Sequence, residues 1–176
     1  MSYMGYNCRG LGNLGTVREL RKVVKQECPI VLFMMETKIK AKRVEELQTV
    51  LGFAGCYAVD SDGLSGGVGL FWSSNVDVDL KNYGQSHIDV MVKQKSNPLQ
   101  SWCFTGFYGE PRVENRHHSW RFMHTLRDIP HGAWLCLGDF NETLYADEHF
   151  GTNARPEWQM RAFREAVDYC SFQDLG

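Results

Sequence analysis

The sequence lacks most of the signals that place a chain quickly. No apolar run approaches the ~18 residues of a membrane span. The N-terminal MSYMGYNCRG has neither the apolar core nor the small-residue cleavage pattern of a secretion signal. These two absences predict an intracellular protein, nuclear or cytoplasmic, with no membrane partner. Only five prolines occur, and no Pro/Ser-rich linker divides the chain. No internal repeat or low-complexity segment is present. The six cysteines, Cys8, Cys28, Cys56, Cys103, Cys136 and Cys170, include no CxxC pair, which excludes the common zinc and redox motifs. Four of them lie in apolar runs and read as buried thiols. Zincin HExxH, P-loop, GxSxG and GxGxxG motifs are all missing. A strong excess of one charge is missing too: the formal net charge is −2, so a globally basic coat is excluded while a local basic patch stays open. What remains is 176 residues, 43% hydrophobic and 23% charged, the composition of one ordinary globular domain over 1–176.

Charge is unevenly spread. Residues 1–50 carry nine basic and five acidic residues, whereas residues 101–176 carry seven and eleven. Periodicity alternates between strand and helix. Residues 3–8 read as a short strand. Thr16-Val17-Arg18-Glu19 has the form of a capping box ahead of a helix near 16–27 that stops before Pro29. Ile30–Met35 is a continuous apolar run, the pattern of a strand covered on both faces. Val44, Leu47, Val50 and Leu51 predict a helix near 41–51. Strands are expected at 54–59, 67–73, 76–83, 87–94 and 101–108, with Asn97-Pro98 as the last turn. A third helix near 113–127, a buried strand at 133–137 and a last helix with Pro156 at its first position complete the reading. Helices flanking a block of adjacent strands imply a layered α/β sandwich.

Four apolar runs end in a polar residue: Asn7, Glu36, Tyr108, and Asp139 with Asn141. Strand ends and their loops are where sites gather in layered α/β folds. If these ends converge, they supply carboxylates, amides and a phenol, a hard oxygen set suited to Mg²⁺ or Mn²⁺ rather than Zn²⁺.

The segments YNCRGLGN at 6–13, MMETK at 34–38, GLSGGVGLFW at 63–72, FTGFYGEP at 104–111 and GDFNE at 138–142 resemble, in order and spacing, the endonuclease/exonuclease/phosphatase family. The wording is most similar to the endonuclease domain of plant LINE-type (non-LTR) retrotransposons, and through it to apurinic/apyrimidinic endonucleases. The resemblance implies a four-layer α/β sandwich of the DNase I-like type and Mg²⁺-dependent DNA endonuclease chemistry of the target-site nicking type, with DNA as partner. It implies that Glu36 binds the metal and that Asp139 orients or deprotonates the attacking water. Asn141 would hold the phosphate or that water, Tyr108 would hydrogen-bond the phosphate, and Asn7 would orient the metal site. Lys38 and Arg9 fit phosphate-side roles.

The resemblance stops short of the family's closing Ser-Asp-His signature. No histidine here follows a Ser-Asp pair: His87 falls in a strand run, His117, His118 and His124 on or near the third helix, His131 in a turn and His149 in a loop, all read as surface groups. The fold is therefore expected to be incomplete at its C-terminus and its activity weak or absent. A reverse transcriptase would follow in a complete element. The alternatives are a non-catalytic retrotransposon-derived remnant and another family activity, such as a phosphatase acting on a lipid or inositol headgroup.

Overall fold

A computed structural model describes residues 2–63, 65–129, 132–148 and 154–175. The expected turn at His131 and loop at His149 lie outside them. The chain divides into two compact units, Met1–Tyr108 with His131–Asp139, and Gly109–Pro130 with Phe140–Gly176.

The first unit holds two four-stranded sheets. Strands β1 (Tyr3–Asn7), β2 (Val31–Met35), β3 (Gly55–Val59) and β4 (Val68–Trp72) form one, in the order β1-β2-β4-β3, with β1 and β2 parallel. Strands β5 (Val76–Gly84), β6 (His87–Gln94), β7 (Asn97–Tyr108) and β8 (Trp134–Asp139) form the other in sequence order, with β7 and β8 parallel. Every residue of β2 is buried because both faces of its sheet are covered. Leu32 and Met34 pack under the helices α1 (Leu14–Glu27), α2 (Ala41–Glu45) and α3 (Leu47–Leu51), through Leu20, Val24, Val44 and Leu51. Val31, Phe33 and Met35 face the second sheet and meet Ile88, Val90, Val92 and Phe104. The first unit is thus a helix–sheet–sheet sandwich. Gly106 leaves room for the Phe33 ring between the sheets. Gly5 of β1 lies against Leu137 and Gly138 of β8, which brings the two parallel strand pairs together.

The other face of the second sheet carries a buried polar chain. Trp134 Nε1 donates to Thr105 Oγ1 at 2.8 Å, and Thr105 Oγ1 donates to Asp89 Oδ1 at 2.6 Å. It ties β8, β7 and β6 crosswise and satisfies a carboxylate that burial would otherwise penalise. Cys103 Sγ also donates to Asp89 Oδ1 at 3.2 Å. Burial, and then the Asp89 charge, push that thiol up to about 12, so it stays protonated. His87 on the same strand is 6% exposed, not a surface group: β6 is an inner strand of its sheet, paired on both edges.

The second unit contains a 3-10 turn at Val113–Asn115, α4 (Arg116–Arg127), a 3-10 turn at Ala146–Glu148 and α5 (Glu157–Tyr169). Trp120 of α4 stacks on Phe163 of α5 at 4.7 Å between ring centres. Arg116 pairs with the fully buried Glu142, which Arg155 also approaches at 3.7 Å.

Several local expectations shift. The N-cap of α1 is Asn13, whose side chain accepts from the Thr16 N–H at 2.8 Å, so Thr16 lies inside the helix. The helix near 41–51 is two short helices, α2 and α3. Asn97-Pro98 lies within β7, and the turn is Lys95-Ser96. Pro98 falls where the pairing slips from Lys93–Ser101 to Gln94–Asn97, beyond the reach of β8, so no ladder bond needs its missing N–H. Pro156 is the N-cap of α5 rather than its first residue. Three cysteines are buried, not four; Cys56 and Cys136 are half-buried, Cys28 is exposed, and all six are free thiols. Among the described residues no helix is long and apolar enough to cross a membrane.

Candidate active site at the strand ends

The β1–β2 ladder continues past the strands into their loops. Cys8 N–H donates to Met35 O, Gly10 N–H to Glu36 O and Leu11 N–H to Thr37 O, at 2.8–2.9 Å. On the opposite side Thr37 N–H donates to Gly67 O and Lys38 N–H to Gly66 O, both at 3.1 Å. The segment 36–38 is therefore held between two others. Within it Glu36 and Lys38 take left-handed φ values of 50° and 54°, and Arg9 takes 47°. Such values are uncommon without glycine and persist only where surroundings over-determine them. Thr37 is fully buried, while Lys38 Nζ lies 3.0 Å from Glu36 Oε2.

Asn7, at the end of β1, is the hub. Its Nδ2 donates to Glu36 Oε1 at 2.9 Å and to Asp139 Oδ2 at 3.1 Å. Its Oδ1 accepts from the Arg9 backbone N–H at 3.1 Å, which fixes the orientation of the amide. Tyr108, ending β7, adds a hydrogen bond to Glu36. Burial alone would raise the Glu36 pKa; donation from Asn7, Lys38 and Tyr108 outweighs it and holds the carboxyl below its ordinary value. Asp139, ending β8, also receives support from below: its backbone N–H donates to Met35 Sδ at 3.0 Å.

The structure thus brings Asn7, Glu36, Lys38, Tyr108 and Asp139 into one hydrogen-bonded group. Arg9 contributes its backbone, and its side chain is exposed. Asn141 belongs to the second unit, where it has φ 56° and its Nδ2 donates to Gly109 O at 2.7 Å. Sequence reasoning missed Met35, Thr37 and Gly67. Met35 read only as core. Gly67 read only as turn punctuation at the start of the strand at 67–73, yet with φ +83° and the Thr37 hydroxyl against it, it has no room for a β-carbon. The glycine pair in GLSGG was the one available signal.

The donor set fits a hard divalent cation. Glu36 and Asp139 offer carboxylate oxygens within reach of one amide, the Glu36 side chain is 20% exposed, and no thiol or imidazole belongs to the group. Two carboxylates with open coordination suit Mg²⁺, which keeps waters and takes phosphate oxygens. Among the described residues no cluster of three or more His, Cys, Asp or Glu could hold a metal by itself. A charged carboxylate pair beside a phenol and an ammonium can bind and polarise a phosphate ester.

The sequence pattern described as the endonuclease/exonuclease/phosphatase family matches residues 4–172. No curated protein matches the sequence. Solved structures do. An AP endonuclease, LMAP, from Leishmania major is 14% identical with a TM-score of 0.68 over 96% of this chain and 66% of its own. An AP endonuclease from Archaeoglobus fulgidus is 16% identical, TM-score 0.67, over 94% and 69%. The 3′ phosphatase NExo from Neisseria, bound to product DNA hairpin, is 12% identical, TM-score 0.65, over 94% and 70%. The chain thus spans about two-thirds of their length, and shares their mixed α/β fold of two sheets and helices.

Proposed function

This chain belongs to the endonuclease/exonuclease/phosphatase family, and from that premise we propose that its strand-end site hydrolyses phosphodiesters of DNA with Mg²⁺. The observation that carries the reading is the Asn7 amide donating to Glu36 and Asp139 together. It holds two carboxylates at fixed separation without an intervening charge. Positioning of this kind supplies most of the acceleration in phosphoryl chemistry.

In this reading Glu36, kept ionised by its three donors, holds the metal, or Mn²⁺ in its place. The bound ion supplies Lewis acidity for the charge that grows on phosphate. Asp139 orients the attacking water and accepts its proton. Tyr108 and Lys38 face the phosphate, Arg9 contributes at the rim, and Asn141 binds the phosphate or the water. The motif wording at 63–72 and 104–111 supports a LINE-type retrotransposon origin, with target-site nicking as the task and a reverse transcriptase as partner.

The test is nicking of supercoiled plasmid in Mg²⁺ beside an EDTA control, Glu36→Ala and Asp139→Ala, each verified as folded by circular dichroism. Loss of a positioned base or metal ligand lowers the rate by at least about 100-fold. Equal nicking by the variants, or none by the parent chain, would overturn the reading. The likeness to a 3′ phosphatase favours a second one, phosphomonoester hydrolysis at DNA ends. Phosphate release from 3′-phosphorylated DNA without nicking would select it.

A further inference from the structure

The acidic strand-end site and the net charge of −2 leave open how this chain grips a polyanion. The outer face of α1 offers an answer. Arg18, Arg21, Lys22 and Lys25 are all exposed, and at 100° per residue they fall within about a 100° arc. The buried residues Leu20 and Val24 point the other way, and Glu19 and Glu27 lie outside the arc. Among the described residues none of the four forms an ion pair, although nine such pairs exist elsewhere in the chain. The stripe leads into a groove of about 560 Å³ between α1 and α3, which Arg21 and Lys25 line together with Ser73 and Asn75, and no carboxylate lines it.

We propose that this face of α1 is a docking track for the phosphate backbone of duplex DNA, separate from the strand-end carboxylates; the proposal rests on the nuclease reading. Four cations without ion-pair partners among the described residues, spread over about 10 Å of helix, match the roughly three phosphates that one strand presents over the same length of duplex axis, at about 3.4 Å of axis each. Charge complementarity commits the occupant: the track holds no exposed aromatic side chain on which unpaired bases could stack. The groove end of α1 lies beside Ile30, one β2 length from Glu36, or about 16–20 Å. One duplex reaching from the site to the groove needs about six base pairs on that side.

The experiment is binding of a 20-bp duplex in EDTA across 20–200 mM salt, comparing the parent chain with a variant carrying Arg18→Gln, Arg21→Gln, Lys22→Gln and Lys25→Gln. Glutamine keeps helix propensity, and circular dichroism checks the fold. Removing one neutralised phosphate flattens the slope of log affinity against log salt by about 0.9, so removing three flattens it by about 2.7. A second variant that exchanges Arg and Lys at the four positions keeps the parent slope. An unchanged slope for the 20-bp duplex, no measurable binding by the parent, or loss of binding only to an acidic peptide such as polyglutamate overturns the proposal. The nuclease reading fails separately, on the Glu36→Ala and Asp139→Ala nicking assay.

Discussion

Replacing Gly67 by alanine tests whether the candidate site is braced from behind. The added β-carbon meets two obstacles. With φ at +83°, an L-residue costs about 1 kcal/mol. The new methyl also overlaps Thr37 Oγ1 and falls 3.1 Å from Ser61 Cβ. Both neighbours are buried, so relief requires backbone movement, and overpacking of this kind costs about 1–3 kcal/mol. The expected loss is about 2–4 kcal/mol by urea denaturation in EDTA. Thr37→Ala removes the atom in the way. Because the Thr37 hydroxyl is buried and has no hydrogen-bond partner among the described residues, removing it leaves no broken bond behind. The double variant therefore recovers the Thr37 part of the clash and retains the φ cost and the Ser61 contact, which gives a coupling of about 1–2 kcal/mol in a double-mutant cycle. Because Glu36 and Lys38 flank Thr37, Gly67→Ala also lowers Mg²⁺-dependent nicking, and Thr37→Ala restores part of it. A Gly67→Ala variant within about 0.5 kcal/mol of the parent, or strictly additive single effects, would refute the bracing argument.

Burial holds the His87 pKa down to about 4 against an ordinary 6.5, with the Asp89 charge pulling the other way. The native state thus binds fewer protons than the unfolded chain between those values, and stability falls as pH drops from 6.5 to 4, by about 3 kcal/mol at most. His87→Gln removes that loss, and parallel stability–pH curves for the two proteins would contradict it. For Glu36 the sign is opposite. Its depressed pKa adds stability above the unfolded value of about 4.3 that disappears as pH falls through the folded value. The stability gap between the parent and Glu36→Gln, measured in EDTA, is flat above pH 6 and closes below pH 4; a gap that widens in acid would be the wrong sign. In the second unit, Arg116→Leu takes the guanidinium from Glu142 Oε2, leaving the buried carboxylate only the Thr143 backbone N–H at 3.0 Å and Arg155 at 3.7 Å, both on Oε1, and lowers stability by about 3 kcal/mol in urea. A drop below about 1 kcal/mol would mean that Thr143 and Arg155 suffice to hold the carboxylate without Arg116.

The parts of this molecule that were legible in the sequence are those whose signal is local. Ile30–Met35 announced a two-sided buried strand because every residue is apolar, and β2 is buried throughout. Asn7, Glu36, Tyr108 and Asp139 stood out because a polar residue at the end of an apolar run needs a reason, and four such ends meet. Local signals also misled. Thr16 to Glu19 has the capping-box pattern, but the loop ladder fixes the chain as far as Leu11, so only Gly12 and Asn13 separate it from the helix, and Asn13 takes the cap. His87 sits in an ordinary strand run, and its burial depends on which strand is central, a fact of topology. The residues that escaped notice act sterically and at long range. Thr37 meets Gly67 thirty positions later, and Met35 supports Asp139 across 104. Neither pair has any signature in its own neighbourhood. Chemistry at a strand end can be read from residue type, since only a few side chains bind metal or phosphate. The brace that aims those side chains can be filled by any residue of the right shape, so it becomes visible only when the fold brings its two halves together.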